Sequence, residues 1–422
     1  MLIYIPFVFF LTLTIYFWKK KGYIDVGVFL FAEYTLTSFF ALLCVKLNLL
    51  GNGGILFTNA TLQLNIIPTL LYCTLISAVI IPITRLDFSK FSHIDIVNHH
   101  IFDIFTYVLM CVALLNIYII GDGLVEAIKS GDWAAIRSAH YSGELNAGVL
   151  KSQSLPKILG YFYYFNRTTP LALPCFFYSI CFLNKSRLYN ICLLLTSISV
   201  PLAGVLNADR TQFVLYTQEL LICFFLFRQH IKQEHLKKLK VLFYPLITIV
   251  IMYLSAVTIS RFAEREDGAT GGAIQYAGQS YLNFCYFYEH ANNDHIYTNR
   301  ILPLTNHFIN SELDYSEEIR DIKSDEQGFY VGVFSTFLGD ILLDVGMTGL
   351  IIWVLAFITV ITCIVINTDN FLTFGHILCL YILIVIPAFG IFYYPYYLYT
   401  NGICIVVALC MSILFHFRFK FK

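Results

Sequence analysis

Residues 2–18 read LIYIPFVFFLTLTIYFW, residues 19–25 read KKKGYID, and residues 26–49 read VGVFLFAEYTLTSFFALLCVKLNL. A lysine triplet thus parts two apolar runs of membrane-crossing length. About 20 apolar residues span a hydrocarbon core as a helix, and a backbone in lipid has few other ways to satisfy its N–H and C=O groups. Secretory signals put basic residues before the apolar stretch and a small-residue cleavage site after it. Here the order is reversed, so the first run reads as a retained span.

The alternation continues to the other end of the chain. Apolar runs at 2–18, 26–49, 66–83, 101–120, 155–183, 188–206, 211–227, 241–259, 345–366, 371–394 and 400–417 predict an all-α, polytopic transmembrane helix bundle of about eleven spans, with ten to twelve as bounds. Composition agrees: 58% hydrophobic, 13% charged and a mean hydropathy of +0.71 lie well outside the soluble range. The formal net charge is zero, which gives no argument for a nucleic-acid partner. No internal repeat is evident, which disfavours inverted-repeat transporter plans.

Basic residues cluster in alternate gaps. One set holds Lys19, Lys20, Lys21, Arg85, Lys90, Lys185, Arg187, the 228–240 stretch, Arg418, Lys420 and Lys422. The other gaps are sparser, and most of their basic residues sit in one long loop, which counts little. The first set is therefore cytoplasmic, the amino terminus external and the carboxyl terminus internal. The basic 228–240 loop reads as an orientation determinant touching anionic lipid. The whole chain, 1–422, reads as one polytopic domain. Its main external segments are a loop at 121–154 and a large loop at 260–344, rich enough in Tyr and Phe to pack.

Twelve cysteines suggest a disulfide framework until they are located. All but Cys285 fall within apolar runs, so they read as small core-filling residues. No CxxC or His-rich zinc spacing occurs.

The external face is rich in arginine: Arg137 in the first loop, Arg210 in Asn207-Ala208-Asp209-Arg210-Thr211, Arg261 and Arg265 after the eighth run, and Arg300 and Arg320 deeper in the large loop. Arginine at an outer membrane boundary runs against the topology rule. A guanidinium offers a fixed fork of donors suited to bidentate phosphate binding. Several of these arginines leave span ends at similar depth, and the run at 211 adds a helix amino terminus there. The sequence equally allows snorkelling, or pairing with Asp209, Glu264, Glu266 or Asp267. A lipid-linked pyrophosphate is the ligand such a place would suit.

Aromatics in the large loop, Tyr281, Tyr286 and Tyr288 among them, offer faces that stack on sugar rings, with Gln275, Gln279 and Asn283 nearby to bond hydroxyls. An interfacial belt plus loop core is the alternative reading. Asp340 and Asp344, four residues apart, fall on one helix face where the chain enters the ninth span. Either carboxylate, or Asp209, would serve to take a proton from a sugar hydroxyl, or to cap a helix or pair with an arginine. External histidines (His140, His290, His295, His307) are further acid–base candidates. Glu33, Lys46, Asp103, Arg167 and Glu219 lie within the runs and are expected to face the bundle interior in structural pairs.

The short arginine turn 208–211, Ser260-Arg261-Phe262, and the stretch 336–349 (TFLGDILLDVGMTG) together resemble the Wzy-type oligosaccharide repeat unit (O-antigen) polymerases of bacterial envelopes. The resemblance covers nearly the whole topology. It departs at Ala208-Asp209, where members often have a Gly/Ser pair, and at Val345, where they often have Phe. It implies a metal-independent membrane glycosyltransferase of the bacterial inner membrane, without cofactor, related to the GT-C glycosyltransferase architecture and acting in lipopolysaccharide or other surface polysaccharide biosynthesis. Such an enzyme moves a growing glycan from one undecaprenyl pyrophosphate to a new lipid-linked repeat unit at the periplasmic face. Its implied partners are undecaprenyl-pyrophosphate-linked oligosaccharides, membrane lipid and a chain-length regulator protein.

On that reading Arg210, Arg261, Arg265 and Arg137 hold pyrophosphate. Asp344, Asp340 or Asp209 acts as base, and Tyr281, Tyr286, Tyr288 and Arg300 meet glycan. The competing classes are a lipid-linked oligosaccharide flippase or other multi-span transporter, an O-antigen ligase-like transferase, and a receptor or scaffold without chemistry.

Overall fold

The computed structural model describes residues 2–51, 54–87, 94–96, 98–133, 135–137, 163–183, 185–262, 268–292, 298–309, 317–368 and 372–416. These residues are helical, apart from loops and one isolated bridge between Asp95 and Thr373. The helices are α1 (Tyr4–Lys21), α2 (Val26–Lys46), α3 (Ile66–Thr84), α4 (His99–Ser130), α5 (Ala172–Phe182), α6 (Arg187–Ser197), α7 (Ser199–Val205) and α8 (Thr211–Phe227). They continue as α9 (Gln233–Phe262), α10 (Gly268–His290), α11 (Pro303–Ile309), α12 (Glu317–Gln327), α13 (Thr336–Thr368), α14 (Phe374–Phe389) and α15 (Tyr399–His416). A 3-10 helix, Asn166–Leu171, precedes α5.

By length and composition this is a multi-pass membrane protein. Among the described residues α2, α3, α4, α15 and the Thr336–Ile366 stretch of α13 are long and apolar enough to cross a membrane, and α6 with α7 makes a sixth if the pair, bent by 41°, is one span. Runs 211–227 and 371–394 form the shorter apolar helices α8 and α14, and run 241–259 lies within the 30-residue α9. Run 155–183 is described only from residue 163, and there it becomes the 3-10 helix and the 11-residue α5 instead of one long helix. Pro170 lies inside the 3-10 stretch; it lacks an N–H and its ring clashes with a helical i−4 carbonyl.

The KKKGYID turn shows how local chemistry sets these boundaries. Gly22 closes α1 at φ 74°, where a side chain would be strained, and donates its N–H to the Trp18 carbonyl at 2.8 Å. Asp25 then caps α2, accepting from the Val28 N–H at 2.9 Å, and pairs with Lys21.

The chain forms two compact units, each assembled from separated segments. Unit 1 comprises residues 1–87, 265–369 and 382–402; unit 2 comprises 88–264, 370–381 and 403–422. In unit 1, Phe10, Tyr34 and Tyr72 make a buried aromatic centre, with rings of Phe10 and Tyr34 5.6 Å apart and those of Phe10 and Tyr72 5.7 Å apart. The opening of the expected external loop is α10, packed against α2 and α3. Gly278 permits this approach: a Cβ there would lie 2.6 Å from the backbone of Phe40 and Ala41. Helix α13 is broken at Gly346 (φ 67°), one residue after the apolar run predicted from 345 begins, and residues 335–344 before the break are all buried.

In unit 2, α4 and the end of α7 pack through Ile119, Ile120 and Leu206. Val205, Phe213 and Val250 form a second cluster flanked by Trp133 and Tyr253. All twelve cysteines are free thiols.

Candidate functional site

The turn joining α7 to α8 in unit 2 gathers the arginine chemistry. Ala208 sits at φ 46°, an uncommon left-handed conformation for a residue with a Cβ, and is fully buried. The Asp209 N–H donates to the Gly204 carbonyl at 2.9 Å, folding the turn back on α7. A side chain on Gly204 would come within 3.0 Å of Gln212, so the glycine lets Gln212 lie close. The Asp209 carboxylate accepts from the Thr211 N–H at 2.9 Å and from the Gln212 amide at 3.3 Å. It therefore already occupies the amino terminus of α8 that the sequence offers to an anion.

Three guanidinium groups bond to this turn or rise from it. Arg210 is buried; its Nη1 donates to Thr258 Oγ1 at 2.7 Å, and its guanidinium lies 5.1 Å from the Phe262 ring centre. Arg137 donates from Nη1 to the Asn207 carbonyl at 3.1 Å. Arg167 donates from Nη1 to Gln212 Oε1 at 3.1 Å. In the same unit the rings of Phe213 and Tyr253 are 4.5 Å apart and those of Tyr253 and Trp133 5.6 Å apart. A buried guanidinium such as that of Arg210, set against the Phe262 ring, attracts an anion more strongly than in open water, because the local dielectric is low.

Arg261 lies in α9 with its side chain outside the described residues, and Arg265 is outside them altogether, as are His140 and His295. The sequence reading treats Arg167 as an in-run residue in a structural pair and does not notice Gln212 or Thr258. The break in run 155–183 that frees Arg167 is signalled only by the Asn166-Arg167-Thr168-Thr169-Pro170 composition.

In unit 1, Asp340, Asp344, Arg300 and Lys323 form one buried charge network. Arg300 pairs through Nη1 with Asp340 and donates from Nη2 to the Val331 carbonyl at 3.2 Å. The second oxygen of Asp340 accepts from the Tyr394 N–H at 2.7 Å. Asp344 accepts from the Arg300 N–H at 2.7 Å, the Ile301 N–H at 3.1 Å and the Lys323 ammonium at 2.8 Å. Exposures are 4% for Arg300 and Lys323, 1% for Asp340 and 0% for Asp344. Burial pushes the pKa of Lys323 below its ordinary value, against the opposing pull of Asp344.

This arrangement bears on two expectations. Arg300 is engaged by Asp340 and the Val331 carbonyl. Asp340 and Asp344 are buried with their oxygens bonded, the pairing role the sequence left open beside that of base. The i,i+4 spacing of the two aspartates is legible; Lys323 is not anticipated at all.

The tyrosines divide similarly. Tyr281 is buried, with its hydroxyl 2.8 Å from Thr69 Oγ1 and its ring 5.0 Å from Tyr72, so it is a packing residue of α10. Tyr286 is half-buried and stacks on exposed His290 at 4.2 Å, and Tyr288 is half-buried. Gln275 and Asn283 satisfy backbone groups: Gln275 donates to the Leu49 carbonyl at 2.7 Å, and Asn283 to those of Gly54 and Phe334 at 2.8 and 2.9 Å. Within the apolar runs, Asp103 finds its pair in Lys185 at 2.7 Å.

No protein-family model, curated protein or solved structure matches this chain.

Proposed function

We propose that this protein is a polymerase that joins undecaprenyl-pyrophosphate-linked oligosaccharide repeat units into a surface polysaccharide at the outer face of a bacterial inner membrane. The proposal includes about eleven spans, an external amino terminus and a cytoplasmic carboxyl terminus. The observation that carries it is the turn at 207–212, where Arg137 bonds to the Asn207 carbonyl and the buried Arg210 lies against the Phe262 ring.

In the reaction, a hydroxyl at the non-reducing end of the acceptor unit attacks the anomeric carbon of the growing glycan. A new glycosidic bond forms, the bond from that carbon to the pyrophosphate oxygen breaks, and the hydroxyl proton passes to a base. Negative charge grows on the departing pyrophosphate, and fixed guanidinium donors stabilise it as it develops. Asp209 is the carboxylate beside those donors. Its two oxygens each hold one hydrogen bond, which leaves lone pairs to accept a proton.

A lipid-linked oligosaccharide flippase is the second reading. It is favoured by the buried Asn116 and Glu219 in the interior of unit 2, since polar groups within spanning helices mark substrate paths. Deleting the protein from its own cell separates the two. The polymerase reading expects lipid-linked units to reach the outer face and be transferred singly, giving one-unit chains. Units stranded on the cytoplasmic side, with no one-unit chains outside, would favour the flippase.

A further inference from the structure

Glu219 sits at the centre of the apolar helix α8 and is buried. Arg210 and Arg228, the nearest cationic residues in the chain, are each nine positions away, about 13 Å along a helix axis. No ion pair joins Glu219 to a cation among the described residues. The elements packed around α8 offer none near its centre. Helices α5 and α7 and the 241–259 stretch of α9 contain no Asp, Glu, Lys, Arg or His. His376 of α14 and His416 of α15 contact each other, with ring centres 4.8 Å apart, and both lie close to Thr373 Oγ1.

The surroundings of the carboxyl are neutral instead. It forms a side-chain hydrogen bond with Tyr381, and its electrostatic neighbours are Tyr216 and the thiols of Cys223 and Cys404. Tyr216 has its hydroxyl on Ser197 Oγ at 3.1 Å, and Cys223 lies beside Cys175 of α5. An ionised carboxylate offers about four lone-pair sites, far more than one phenol can satisfy. In an enclosed apolar setting such a group takes up a proton in preference to standing charged.

The backbone beside Tyr381 supplies an independent observation. The Tyr381 hydroxyl donates to the Pro170 carbonyl at 3.5 Å, in the 3-10 stretch that interrupts run 155–183. Pro174, four residues on, has no N–H to give that carbonyl a regular helical partner. Carbonyls at interrupted helices are places where membrane proteins hold protons and small cations. One hydroxyl proton makes one full hydrogen bond. While Tyr381 donates to Pro170, its oxygen bonds Glu219 only by accepting, which needs a protonated carboxyl. An ionised Glu219 would draw the hydroxyl proton to itself and away from Pro170.

We propose that Glu219 is a proton-binding site inside unit 2. Its carboxyl holds a proton near neutral pH, donates it to Tyr381 in a hydrogen bond, and releases it reversibly to water as the pH rises. Tyr381 is the positioning residue, turning between the carboxylate and the Pro170 carbonyl. The site does not depend on which lipid-linked substrate the protein handles, so it stands apart from both readings above.

The test is labelling of the purified full-length protein in detergent with dicyclohexylcarbodiimide across a pH series, read by peptide mass spectrometry. A protonated carboxyl adds to this apolar reagent: its proton goes to a nitrogen, its oxygen bonds the central carbon, and nothing leaves. Near neutral pH, labelling at Glu219 should exceed that at exposed Glu126 by roughly tenfold or more, since an ordinary glutamate is almost wholly ionised there. It should be lost at alkaline pH and return when the pH is lowered. Tyr381→Phe removes the donor that favours the carboxylate, so labelling should persist to higher pH. Infrared spectra cover the case of a reagent that cannot enter: a protonated-carboxyl C=O band should be present in the wild type, absent from Glu219→Gln, and lost as the pH rises. Glu219→Gln, a neutral amide for a neutral acid, should keep the wild-type thermal midpoint; if it does not fold, the pH dependence of the wild-type label and band decides. No such band near neutral pH, with no label, would overturn the proton site. A label or band indifferent to pH would overturn reversible release. A wild-type pH profile in Tyr381→Phe would overturn the positioning role.

Discussion

Replacing Asp344 by alanine is expected to destabilise the folded protein by about 3–5 kcal/mol, because it removes one partner of a buried ion pair. Asp344 accepts three hydrogen bonds at 0% exposure: from the Lys323 side chain and from the backbone N–H groups of Arg300 and Ile301. Removing the carboxylate takes from Lys323, itself 4% exposed, the Asp344 ion pair, and leaves two enclosed N–H groups without that acceptor. The effect should appear as a lowered thermal midpoint in detergent and as early protease cutting within residues 298–327.

The double change Asp344→Leu with Lys323→Met should recover much of the loss, since an apolar pair of similar volume often replaces a buried ion pair without penalty. A catalytic Asp344 behaves differently. It would leave the midpoint unchanged in Asp344→Ala while abolishing activity, and the double variant would be inactive however stable.

Replacing Arg210 by alanine is expected to abolish long-chain polysaccharide in cells, leaving one-unit chains. Losing one fixed donor to developing negative charge typically slows a transfer by about 10²–10³-fold. Part of the phenotype could come from folding, since Arg210 also bonds Thr258 and lies over the Phe262 ring. Thr258→Val removes that hydrogen bond while keeping the guanidinium, so it serves as the control. It should cost about 0.5–1.5 kcal/mol of stability and leave chain length near wild type. Arg210→Lys keeps the charge but not the planar fork, and should give short chains. Wild-type chain lengths in Arg210→Ala, at wild-type protein levels, would contradict an anion-binding role for this residue.

How far the sequence carried depended on the range of the interactions involved. Boundaries set by neighbours in the chain were readable: the lysine triplet and Gly22 end α1, Asp25 starts α2, and the expected onset at 345 falls beside the break at Gly346. The convergence of arginine on the 208–211 turn was readable only in part. Arg210 and Asp209 are local to it, whereas Arg167 and Gln212 are 45 positions apart and meet only because run 155–183 breaks at the 3-10 turn.

The unit 1 charge network shows the same limit more sharply. The spacing of Asp340 and Asp344 put both on one face, but their cationic partners lie 40 and 21 positions away, Lys323 on the separate helix α12. With Lys323 unseen and no particular arginine assigned, proton transfer and pairing with an arginine both stayed open for the two carboxylates. For Tyr281 the sequence left glycan contact and loop core both open, and only the packing of α10 on α3 reveals Thr69 as its partner.

The decisive measurement is made on purified protein in lipid nanodiscs with lipid-linked repeat units extracted from its own cells, by following product length. The proposed polymerase should convert single units into a ladder of multiples, with release of one undecaprenyl pyrophosphate for each unit added, and Arg210→Ala should lower that rate by about 10²-fold or more. Single units left unextended by the wild-type protein, or extended equally fast by Arg210→Ala, would contradict it.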